Sequence, residues 1–79
     1  MKVTWYKRKD KVTVCKIGKW KVLEITKKSN GEYSWFKCLV FDKGEVVAAE
    51  GVLGSSLSTK PKAIRWGCKK ARELGLWVN

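Results

Sequence analysis

The side chains of this chain best equipped for chemistry are its cations and its indoles, and the cations are unevenly spread. Residues 1–28 hold ten Lys or Arg against two acids, Asp10 and Glu24. Residues 60–72 hold Lys60, Lys62, Arg65, Lys69, Lys70 and Arg72 with no acid at all, while residues 29–59 carry two lysines and four acids. A uniform lysine excess serves solubility, whereas a segregated one makes a surface that meets an acidic partner. Such groups neutralise phosphates, and the five tryptophans can stack flat rings. The formal net charge of +11 on 79 residues fixes the sign of that partner.

Other chemistries find little to work with. The chain has no histidine, which removes Ser-His and Cys-His nucleophiles. Cys15, Cys38 and Cys68 are odd in number, far apart and never at metal-ligand spacing. Each lies among apolar residues and reads as a small buried thiol. Gly51-Val52-Leu53-Gly54 is too short for a phosphate loop and lacks the Gly-Lys-Ser/Thr ending. The expectation is a protein that is not an enzyme and holds neither metal nor cofactor. No apolar run approaches the roughly 20 residues of a membrane span, and no apolar leader follows Met1. A cytoplasmic location with no membrane partner is therefore expected.

These residues must be positioned by a single small basic domain spanning 1–79. Val3 to Arg8 and Val12 to Ile17 read as one or two N-terminal strands, separated by a turn at Lys9-Asp10. Trp20 to Lys27 alternates, which predicts Leu23 and Ile25 on one face and Trp20, Val22 and Glu24 on the other. Asn30-Gly31 and Lys43-Gly44 are hairpin turns, joining Trp20–Lys27, Tyr33–Phe41 and Glu45–Val52 into an antiparallel meander. After a Gly/Ser stretch from Gly54 to Ser58, Thr59 or Lys60 caps a helix with Pro61 in its first turn and Gly75 as its stop. Ala63, Ile64, Gly67, Cys68, Ala71 and Leu74 make its apolar stripe. Leu76, Trp77 and Val78 fold back over apolar surface. The fold class that follows is α+β: an antiparallel sheet of three to five strands with one C-terminal helix packed on one face.

Three constellations emerge. On the helix, Trp66 falls about 180–200° from Ile64 at 100° per residue, which sets it on the polar side among Lys62, Lys69 and Lys70, with Arg65 alongside. There it either stacks a base or a sugar or is covered by Trp77-Val78 or the N-terminal strand. On the sheet, Phe36, Cys38 and Val40 facing the helix leave Tyr33, Trp35, Lys37 and Leu39 facing away, with Trp20 placed beside Trp35. That face is either an open stacking platform or a second small core beneath the N-terminal strands. Third, Lys7, Arg8 and Lys9 with Lys11, and the Lys27-Lys28 shoulder, are suited to sequence-independent phosphate contacts.

The stretch from Tyr33 to Leu74 resembles the second half of a double-stranded RNA-binding domain. There a hairpin leads through a glycine-bearing loop, here Gly51 and Gly54, into a helix that opens on lysines and continues with small residues, here Ala63, Gly67-Cys68 and Ala71. That resemblance implies phosphate contacts from Lys60, Lys62 and Arg65 across a groove. It departs from the family at Pro61, which separates the two lysines, and before Trp20, where strands stand in place of the family's first helix. The sheet-plus-helix order is also similar to the arm-type DNA-binding domain of phage integrases and to plant AP2-type domains, which implies contact through Trp35, Lys37 and Lys21 on the sheet. Both resemblances imply nucleic acid, with a duplex favoured. The alternative is a small basic inhibitor or accessory factor, ribosome-associated or phage-encoded, that docks on an acidic protein.

Overall fold

The computed structural model describes residues 2–52 and 57–77. Five strands, β1 (Val3–Lys7), β2 (Thr13–Ile17), β3 (Trp20–Ser29), β4 (Ser34–Asp42) and β5 (Glu45–Glu50), are followed by one helix, α1 (Lys60–Glu73). The strands pair in chain order, each antiparallel to the next. The fold is therefore α+β, with α1 packed against β3 and β4.

Short-range chemistry sets this order. At the β4–β5 turn, Lys43 and Gly44 both take positive φ (50° and 91°), the pattern of a type I′ hairpin. At the β3–β4 turn, the Asn30 side-chain oxygen accepts from the Glu32 and Tyr33 N–H groups at 3.1 and 3.2 Å. The β1–β2 turn is closed by the Lys11 N–H donating to the Arg8 carbonyl at 2.9 Å, with Lys11 itself left-handed at φ 67°. Thr59 is the helix cap: its hydroxyl accepts from the Lys62 N–H at 3.3 Å.

The core lies between sheet and helix. Cys15, Leu23, Ile25, Cys38 and Val40 come from the strands, and Ala63, Gly67 and Ala71 line the buried stripe of α1. Leu57 joins them and accepts the Phe36 N–H at its carbonyl, 2.8 Å away, which fixes the segment entering the helix to β4. Beyond α1 the chain doubles back, as expected. Leu76 packs on the core, and Trp77 is buried against Trp5 of β1, ring centroids 6.3 Å apart, with the Arg72 guanidinium 5.3 Å from its ring. Val78, and Gly54 to Ser56 of the Gly/Ser stretch, lie outside the described residues.

The structure departs from the expected alternation at three points. A bulge sets Cys15 opposite Leu23 but Lys16 opposite Lys21, so β3 carries one extra residue. The phase flips there, and Val22 joins the core while Trp20 pairs with Ile17 rather than sharing a face with Glu24. Trp20 also lies far from Trp35: the two sit at opposite ends of β3, since Trp35 pairs with Lys28. On α1, the buried stripe centres on Gly67, not Ile64, so Leu74 at its end is exposed and Trp66 moves to the stripe's flank. One residue from Gly67 is about 100° around the helix. Trp66 is accordingly half-buried and packed on the core, rather than standing at the middle of the polar side.

Candidate nucleic-acid interface

Strand alternation divides the basic residues between the two faces of the sheet. Lys7 and Lys27 fall on the helix side, while Arg8 and Lys28, their neighbours in sequence, fall on the other. The two basic dipeptides therefore do not act as single patches.

On the face away from α1, Arg8 is already engaged. Its guanidinium donates to both Asp10 carboxylate oxygens (3.1 and 2.7 Å) and to Glu24 Oε2 (2.9 Å), and Lys21 Nζ meets the same Glu24 oxygen at 2.6 Å. The hydrogen bond to Asp10 is the main reason that the Arg8 guanidinium holds its proton more tightly than usual. It likewise keeps the Asp10 carboxyl below the ordinary carboxylate range. Sequence reasoning gave no sign of this network, because its members are separated by up to 16 residues. Lys28 and Lys37 lie half-buried on this face near Trp35, whose indole N–H donates to the Gly51 carbonyl at 2.7 Å. Tyr33 leans on Trp35 with centroids 5.8 Å apart. The strands β1 and β2 extend the sheet past β3 and do not cover Trp35. Lys9 stands exposed in the β1–β2 turn.

On the helix, Lys62, Arg65, Trp66 and Lys69 come together with Leu57 around a shallow groove of about 390 Å³. Their spacing (i, i+3, i+4, i+7) puts them on one stripe. The Lys62 ammonium donates to Ser58 Oγ at 3.2 Å, which steadies it beside the cap. Among the described residues, no carboxylate lines the groove. Trp66 is half-buried and packed on the core, and it lines the groove beside these cations. Lys70 pairs with Glu73 at 3.2 Å while its ammonium lies over the Trp66 ring at 5.9 Å, and Trp66, Lys69, Lys70 and Glu73 line an adjoining cavity of about 150 Å³.

A second set gathers on the other flank of the helix start. Lys7, Lys11, Lys27 and Lys60 line a cavity of about 270 Å³ floored by Thr13, Ile25 and Phe36. All four were candidate contact residues from sequence. Their convergence was not visible there, because β1, the following turn, β3 and α1 meet only in the fold.

The thiols contribute no reactive group to either place. Burial pushes Cys15 and Cys38 up to about 12 and also raises Cys68, so all three stay protonated near neutrality. Among the described residues, no three metal-ligating side chains cluster, and no helix is long and apolar enough to cross a membrane. Comparisons with protein-family models, curated proteins and solved structures return no match.

Proposed function

We propose that this chain is a nucleic-acid-binding module, with a duplex as the favoured partner and the α1 groove as its principal contact. The reading is carried by one observation: Lys62, Arg65 and Lys69 line a groove with the half-buried Trp66 and, among the described residues, no carboxylate. Cations in a row along a helix neutralise successive phosphates, and the indole adds a ring contact that any sequence satisfies. Lys60 and the cations of β1 and β3 extend the positive field past the helix cap, while Lys28, Lys37 and Trp35 offer a weaker surface on the far face. The module binds rather than catalyses, and its three free thiols suit the reducing cytoplasm.

The test is fluorescence anisotropy with labelled duplex DNA, duplex RNA and a single strand, each at two salt concentrations. Salt-sensitive binding to a duplex is expected, with quenching of tryptophan emission in the same samples. Absence of binding to all three at low salt would contradict the reading. Leu57 beside Trp66 favours a second possibility, an aromatic anchor on an acidic protein. That interface would show a shallower salt dependence than a row of phosphate contacts.

A further inference from the structure

Four lysines from four elements surround the cavity beside the start of α1: Lys7 ends β1, Lys11 sits in the β1–β2 turn, Lys27 lies in β3 and Lys60 opens α1. None of the four is in an ion pair among the described residues. Among the described residues no carboxylate lines the cavity, and the first turn of α1 holds no acid. Four like charges around so small a volume repel one another in the unliganded protein. The positive end of the α1 dipole adds to the same field.

The floor is of a different kind. The half-buried Phe36 offers an aromatic surface, with Ile25 buried behind it in the core. Thr13 is the buried polar residue among those described, and it lies on this floor with a hydroxyl able to donate. Lys11 supplies a further observation. It is held left-handed at φ 67°, where glycine is the comfortable residue, and it is one of the residues lining the cavity.

The charge count decides what such a place would take. A backbone phosphodiester carries one negative charge, whereas a phosphomonoester carries about two at neutral pH. Four ammonium groups match the dianion better. A backbone phosphate also has chain continuing on both sides, which suits the shallow α1 groove, whereas a more enclosed cavity suits an end. We infer that this cavity receives a phosphomonoester joined to a flat ring: the lysines and Thr13 hold the phosphate, and the ring rests on Phe36. Two sources share that chemistry, the phosphorylated end of a strand and a free nucleoside monophosphate. The strand-end source rests on the nucleic-acid reading above; the free nucleotide does not.

The test uses the whole chain, with four probes: a duplex with 5′-phosphates, the same duplex with hydroxyl ends, adenosine monophosphate and inorganic phosphate. Amide shifts of Thr13, Ile25 and Lys60 are followed by NMR alongside anisotropy for the duplexes. The phosphorylated duplex should bind about tenfold tighter than its hydroxyl-ended twin, and Lys27→Ala with Lys60→Ala should erase that difference. Adenosine monophosphate should shift all three amides at lower concentration than inorganic phosphate, and should raise the melting temperature. If the monophosphate shifts these amides while neither duplex binds, the cavity stands with a free nucleotide as its ligand and the nucleic-acid reading falls. If both duplexes bind equally and the monophosphate leaves the amides unmoved, the cavity assignment is overturned and the groove reading stands.

Discussion

Gly67 of the helix lies directly against Cys38 of the sheet: a Cβ placed on the glycine would come within 2.7 Å of the Cys38 sulfur and 3.1 Å of Leu23 Cδ2. Both neighbours are fully buried, so neither has free space to retreat into. Exchanging glycine for alanine inside a helix gains about 1 kcal/mol of propensity, but overpacking a closed core costs about 1–3 kcal/mol. Gly67→Ala should therefore be destabilising by about 1 kcal/mol, and Gly67→Val by clearly more. Urea unfolding of the two variants checks this, and a Gly67→Ala protein more stable than wild type would contradict the packing described.

Gly51 is constrained more severely. At φ 78° it sits where a Cβ would fall 2.1 Å from the Phe36 carbonyl oxygen, which is backbone and cannot rotate away. Its own carbonyl holds the Trp35 indole N–H. Gly51→Ala should cost about 2 kcal/mol or more, since both strain and a lost hydrogen bond follow from moving this turn. Tryptophan emission should shift to the red in the same variant as Trp35 loses its partner.

The three-strand meander and the helix were legible because each rests on local chemistry: β-branched runs, Asn30-Gly31, Lys43-Gly44, and Thr59 or Lys60 before Pro61; the N-terminal region, read as one or two strands, forms two. What escaped the sequence depends on partners far along the chain. The extra residue at Val22 arises from pairing with Cys15 and Lys16, and it alone turns Trp20 to the core side. The helix periodicity was visible, but its centre was not. Ala63, Gly67 and Ala71 are the buried residues of α1, and Cys38 and Leu23 press closest on Gly67, which carries Trp66 from the polar side to the flank. Lysines adjacent in sequence were read as one patch, yet strand alternation sends Lys7 and Arg8, and Lys27 and Lys28, to opposite faces. The pairing of Arg8 and Lys21 with Glu24 removes two cations from the available set, and no local pattern announces it.

Stability should fall in alkaline solution through the buried thiols. Cys15 and Cys38 have their ordinary value near 9 raised to about 12, chiefly by burial. Both keep their protons in the native state above pH 9, while the unfolded chain releases them. The stabilising contribution is whole below about pH 9 and is lost as the pH climbs towards 12. Each thiol contributes a slope of about 1.4 kcal/mol per pH unit inside that window. Comparing wild type with a Cys15→Ala, Cys38→Ala variant at pH 8 and pH 10 isolates the effect. The wild type should lose more between the two pH values, and equal losses would refute the assignment.

Lys11 separates stability from binding. Its left-handed backbone disfavours any residue with a Cβ, so Lys11→Gly should stabilise the fold by up to about 1 kcal/mol. The same substitution removes one of the four ammonium groups at the cavity. A higher melting temperature together with weaker affinity for adenosine monophosphate is the expected pair of results. A lower melting temperature would mean that the turn needs the lysine side chain for its own structure.

The central claim is that Lys62, Arg65 and Lys69 neutralise phosphates along the α1 groove. Its most direct test is the salt dependence of duplex binding by wild type and by the Lys62→Ala, Arg65→Ala, Lys69→Ala protein. Each phosphate contact contributes about 0.9 to the slope of log affinity against log salt. The triple variant should show a slope smaller by nearly three, with unchanged circular dichroism. A slope equal to that of the wild type would place the contact elsewhere and contradict the account.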